Sequence, residues 1–161
     1  DAITDGDHWT GQRFQEYYDK YPDSLFILNT RPLQKWLISR YKHHTDKFHG
    51  NGTNYNSWCW PPTIERTTKW IKTREKHYKN VKHFFRDKPK QLIIINIEEP
   101  GWETNVIKFI KKRKYIKKFQ TKTIHRGENA NDVIKKKLYN KMTRIVNTSL
   151  KKMNVNGNII L

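Results

Sequence analysis

Arg31 and Ser39 stand eight positions apart, an arginine and a hydroxyl at a spacing suited to gripping one phosphate. A guanidinium offers a charged fork to phosphate oxygens, and a serine hydroxyl adds a further donor. The residues around the pair predict where it sits. Pro22-Asp23-Ser24 closes the preceding segment, and Leu25-Phe26-Ile27-Leu28 reads as a short buried strand. The chain then turns at Thr30-Arg31-Pro32 and becomes helical, with Leu33, Trp36, Leu37 and Arg40 on one side. Thr30 fits the N-cap, and Pro32 the first helical turn, where its missing N–H has no partner to lose. A strand running into a helix N-terminus exposes backbone N–H groups and the positive end of the helix dipole, which favour an anion. Arg31 is expected at that mouth, with Ser39 two turns further along the same side. Taken alone, such a junction is more often structural than ligand-binding.

A second block follows in order: His77, Val81 and Phe84-Phe85, then Leu92-Ile93-Ile94-Ile95-Asn96-Ile97-Glu98, Gly101-Trp102-Glu103 and Phe109-Ile110. With the Arg31/Ser39 segment, it resembles the core of the PAPS-dependent sulfotransferases and covers most of residues 1–110. In that family an Arg at a strand end and a Ser eight positions later hold the 3′-phosphate of the donor nucleotide. The resemblance implies an α/β fold, a parallel sheet flanked by helices of the P-loop-like sulfotransferase type, with PAPS as donor and PAP as product. It implies a hydroxyl or amine acceptor, a glycan or a small molecule, and a catalytic base near the start of the chain. Asp5 and His8 both lie in that region. His125-Arg126-Gly127 resembles the late loop that returns to the 3′-phosphate, which makes Arg126 and Gly127 further phosphate candidates. The family's Gly-rich 5′-phosphosulfate loop has no counterpart among the 161 residues, and the alignment of motifs would put it upstream of Asp1. A piece of a longer enzyme is therefore the expectation.

Length and charge bound these readings. A chain of 161 residues is expected to form one domain, with a core over 1–128 and a C-terminal helix and tail over 129–161. Thirty-three Lys and Arg against 15 Asp and Glu give +18, a field that draws in anions such as nucleotides, nucleic acid or acidic glycans. Lys, Asn and Ile are abundant together, so part of the excess is compositional. Cys59 is the only cysteine, which rules out an intramolecular disulfide and makes a cytoplasmic setting the simpler expectation, with a Golgi-lumen or viral one open. No metal site is expected: His43 and His44 are adjacent and point to different faces, and with His49 they read as loop.

The remaining segments read as helices and loops. Phe14, Tyr17, Tyr18 and Tyr21 predict an amphipathic helix over 10–20 with an aromatic core face. Residues 50–57 are loop-like, and Trp58 and Trp60 form either a stacking wall or a hydrophobic plug. Residues 63–85 predict a long helix, 92–97 a strand central to the sheet, 102–110 a short helix and 131–153 an amphipathic helix ahead of a tail. Lys111-Lys112-Arg113-Lys114 and Lys117-Lys118, interleaved with Tyr115, Ile116 and Phe119, carry the alternative reading of a non-enzymatic module for nucleic acid or acidic glycan. A kinase-like nucleotide binder is a third reading, and it too would need the phosphate loop.

Overall fold

The computed structural model describes residues 13–49, 63–112 and 133–159, except for the side chains of 42–49 and 133–138. Among the described residues it is an α/β protein with five helices and a two-stranded parallel sheet. In chain order these are α1 (Phe14–Lys20), β1 (Phe26–Thr30), α2 (Leu33–His49), α3 (Ile64–Phe84), β2 (Leu92–Asn96), α4 (Trp102–Lys111) and α5 (Val133–Lys152). They fall into two compact units. One holds α1, β1, most of α3, β2 and α4; the other holds α2, the first turns of α3, α5 and the segment after it.

In the first unit, β1 and β2 pair in register from Phe26↔Leu92 to Thr30↔Asn96. Gln91 ties the strands at their starts: its carbonyl accepts from Phe26 N–H at 2.7 Å, and its side-chain amide donates to the Pro22 carbonyl. At the other end Ile97 N–H donates to the Thr30 carbonyl at 2.9 Å. Side chains alternate between the faces of a strand. Phe26, Leu28 and Leu92 join Phe14 and Tyr18 of α1 and Tyr78, Val81, Phe84 and Phe85 in one cluster. Each such side chain, fully buried, is worth about 1.5–3 kcal/mol. Tyr78 also donates its hydroxyl to the Asn29 carbonyl at 2.9 Å, which fixes α3 against the end of β1.

On the opposite face α4 lies over β2, where Ile95 is buried, while Ile27 of β1 is 46% exposed. Helical residues thus lie on both faces of β2, but the expectation that it is central to the sheet is not met among the described residues. There β2 pairs with β1 alone, and Ile94 is 43% exposed. Tyr21, expected on the aromatic core face, is also exposed, because α1 ends at Lys20 before that turn completes.

The second unit packs three helices. Leu33, Leu37 and Tyr41, spaced i, i+4, i+8 on α2, have no exposed surface and meet Trp70 and Ile71 of α3 and Met142, Val146 and Leu150 of α5. The Tyr41 hydroxyl reaches Thr67 Oγ1 at 2.7 Å, so the polar end of this buried ring is satisfied. Helix α2 continues to His49, so His43, His44 and His49 belong to a helix and not to the loop expected for them.

His77 of α3 stands edge-on to Phe14, ring centroids 6.1 Å apart, and burial lowers its pKa from the usual 6.5. Well above pH 6.5 it is neutral whether the chain is folded or not. As the pH falls through that value, the unfolded chain takes up a proton that the folded imidazole resists, so stability drops. The urea midpoint of the unsubstituted chain should therefore fall more between about pH 7 and pH 5 than that of His77→Phe. Parallel declines would remove His77 as the source.

Candidate functional site

The handover from β1 to α2 follows the predicted strand–turn–helix order, but its polar groups are used differently from the expectation. Thr30 is the last residue of β1, and its hydroxyl donates to the Ile95 carbonyl across the sheet at 2.9 Å. It therefore does not cap α2. The Pro32 carbonyl accepts the first bond of α2, from Trp36 N–H at 2.9 Å. Nor are the leading amides of the helix open to an anion. Leu33 N–H donates to the Ile159 carbonyl at 3.2 Å, and Gln34 N–H to the Gly157 carbonyl at 2.9 Å. Carbonyls of residues 157 and 159 thus occupy two of the backbone donors that the sequence reading left free for an anion.

The segment that supplies them is built for the purpose. Asn154 adopts φ 52°, a left-handed conformation that asparagine tolerates better than most residues. Asn154 N–H donates to the Lys151 carbonyl at 3.0 Å, and Val155 N–H to the Leu150 carbonyl at 2.9 Å. This bonding pattern is a Schellman motif, and Val155 packs on the cluster that contains Leu150, as such motifs favour. The chain is thereby turned back on α2. Gln34 Nε2 donates to Asn147 Oδ1 at 2.6 Å, and a Cβ on Gly157 would lie 3.0 Å from Leu150 Cδ1 and 3.2 Å from Gln34 Cβ. Any side chain there would require Leu150 or Gln34 to give way by a few tenths of an ångström.

Arg31 and Ser39 are both half-buried. At about 100° per residue, Ser39 lies roughly 160° around α2 from the Leu33–Leu37–Tyr41 stripe. Arg31 already has a protein partner. Arg40, next to Ser39 in sequence, sits over the rings of Trp70 and Trp36, 4.7 and 5.6 Å from their centroids, so it serves the packing of α2. Asp5, His8, Arg126, Gly127, Trp58, Trp60, Cys59 and the basic run from Arg113 onward lie outside the described residues.

The first unit offers a concavity that sequence reasoning missed. A cleft of about 340 Å³ lies between β2 and α4, floored by Ile93, Ile94 and Ile95 and walled by Trp102, Asn105 and Phe109, with Lys108 and Lys112 also lining it. Its polar corner is ordered. Asn96 Nδ2 donates to Glu99 Oε1 at 3.1 Å, Asn96 Oδ1 accepts from Glu98 N–H at 3.1 Å, and Gly101, at φ 81°, starts α4. The signal in the sequence was the 102/105/109/112 spacing, one face of a helix, which reads equally well as core.

No family model, curated protein or solved structure matches this chain. Among the described residues no group of three or more His, Cys, Asp or Glu is placed to hold a metal ion, and no helix is long and apolar enough to cross a membrane.

The docking of residues 154–159 on α2 makes a direct prediction. Gly157→Val should destabilise the chain by about 1–3 kcal/mol, the usual range for overpacking, and Gly157→Ala by less. Urea unfolding monitored by tryptophan fluorescence checks this; an unchanged midpoint for Gly157→Val would mean that the segment does not pack this way in solution.

Proposed function

We propose that the chain is the nucleotide-holding part of a PAPS-dependent sulfotransferase, which moves a sulfuryl group to a hydroxyl or amine acceptor. The observation that carries this reading is the passage from β1 through Arg31-Pro32 into α2, with Ser39 on the side of α2 away from its core. The parallel pairing of β1 with β2, and the turn from β2 into α4, follow the element order that the resemblance calls for. A net charge of +18 suits a nucleotide with several phosphate groups.

Since the first amides of α2 are bonded to Gly157 and Ile159, the grip on the 3′-phosphate falls to side chains. The Arg31 fork and the Ser39 hydroxyl supply it, joined by Arg126 and the Gly127 backbone. In the reaction the acceptor attacks sulfur in line as its proton passes to Asp5 or His8. The S–O bond to the 5′-phosphate breaks, and PAP leaves. Fixed donors around the developing negative charge contribute most of the acceleration in such sites. The sulfuryl-activating loop has no counterpart in these 161 residues, so nucleotide binding is the activity expected of the chain by itself.

Thermal unfolding with and without PAP tests the proposal. PAP should raise the midpoint of the unsubstituted chain, and Arg31→Ala should abolish the rise. Charge-assisted hydrogen bonds are worth about 1.5–3 kcal/mol each, so Ser39→Ala should weaken binding by roughly ten- to a hundred-fold. Arg31→Lys keeps the charge but loses the fork, and should bind with intermediate affinity. A PAP-induced shift that survives Arg31→Ala in a folded chain would refute the assignment.

A further inference from the structure

The solvent face of α3 carries a row of basic residues that the nucleotide site does not use. Lys72, Lys76, Lys79 and His83 succeed one another at i, i+4, i+7 and i+11, all exposed. At about 100° and 1.5 Å per residue they fall within roughly 60° of arc and extend about 16 Å along the axis. The opposite side of the same turns is core: Arg74, Tyr78, Val81 and Phe85 are buried there. Exposed Lys82 widens the row on one flank, where half-buried Glu75 is the carboxylate nearest to it, and exposed Asn80 borders the other flank. Arg86, just beyond the helix, is paired with Asp87 at 3.3 Å. Like charges at i, i+4 weaken a helix. Lys72 and Lys76 therefore repel each other, Glu75, three residues after Lys72 and four before Lys79, offsets part of this, and the exposed lysine side chains stand outside the core.

We propose that this face of α3 is a docking surface for the phosphate backbone of a nucleic-acid duplex. A duplex strand presents one phosphate about every 3.4 Å of axis, so the roughly 10 Å from Lys72 to Lys79 faces about three of them. The half of an α-helix left outside a core is also the shape that a major groove about 12 Å wide admits. Lysines act here as point charges without the planar fork of arginine, and contacts to backbone phosphates carry no sequence information. Binding through this row is therefore sequence-independent and salt-sensitive. A sulfated glycan would meet the same charges, but the described residues on this face include no exposed Phe, Tyr or Trp ring against which a sugar could stack. The inference is independent of the PAPS reading.

Fluorescence anisotropy with a labelled 20-base-pair DNA duplex, over a series of salt concentrations, tests it on the whole chain. Non-specific binding is expected at about 10⁻⁴–10⁻⁶ M near physiological salt. Combined Lys72→Gln, Lys76→Gln and Lys79→Gln should lower the magnitude of the slope of log K against log salt by about 2.7, three phosphate contacts at 0.9 each. Lys141→Gln, Lys151→Gln and Lys152→Gln remove the same charge from exposed positions on α5, and should change the slope by less than one contact. Equal slopes for the two triple variants would overturn the proposal, as would an unchanged slope on substituting the row. A heparin oligosaccharide that binds more tightly than the duplex, and alone loses affinity on substitution of the row, would replace nucleic acid with a glycan.

Discussion

The parallel pairing of β1 with β2 is the constraint on which the first unit rests. The Thr30 hydroxyl and the Ile95 carbonyl are 65 residues apart in sequence, and they meet only when the intervening chain has closed. Loop closure of that length is an entropic cost paid before any contact repays it. The repayment is visible around the strands: an aromatic cluster from α1 and α3 on one face, the Gln91 clasp at the strand starts, and Ile97 N–H on Thr30 at their ends. The chain leaves β1 for Arg31, and leaves β2 for the ordered Asn96–Glu99 turn and α4.

A similar long-range closure governs the second unit, by a different device. Helix starts carry backbone donors with no partner inside the helix, and proteins satisfy them with side chains, water or ligands. Here carbonyls of residues 157 and 159 take that place on α2. The choice has a chemical consequence. A helix mouth lined by its own chain's carbonyls is a poorer host for an anion than an open one, so recognition of phosphate near Arg31 depends on side chains and not on the dipole alone.

Much of this architecture was legible in the sequence. Leu92-Ile93-Ile94-Ile95 could hardly be other than a strand, and the long periodic helices α3 and α5 lie within two residues of their predicted ends, because sustained amphipathic spacing is a strong local signal. What could not be read were the pairings made at a distance. Thr30 has the composition of an N-cap and the position of one, yet its hydroxyl is drawn to a neighbouring strand. Gly157 and Asn154 looked like a tail, since nothing local announces that Leu150 and Gln34 will close around a glycine. The Lys72–Lys76–Lys79 row becomes one exposed line only once the buried Tyr78 and Val81 opposite it are known.

The closing of residues 157–159 over α2 also sets an order of events during synthesis. The donors on Leu33 and Gln34 wait for acceptors translated more than 120 positions later, a delay on the order of ten seconds at cellular elongation speeds. The described elements of the sheet-containing unit, by contrast, are complete once residue 112 has left the ribosome. On a nascent chain that unit can settle first, while the start of α2 stays unsealed until residue 159 has emerged.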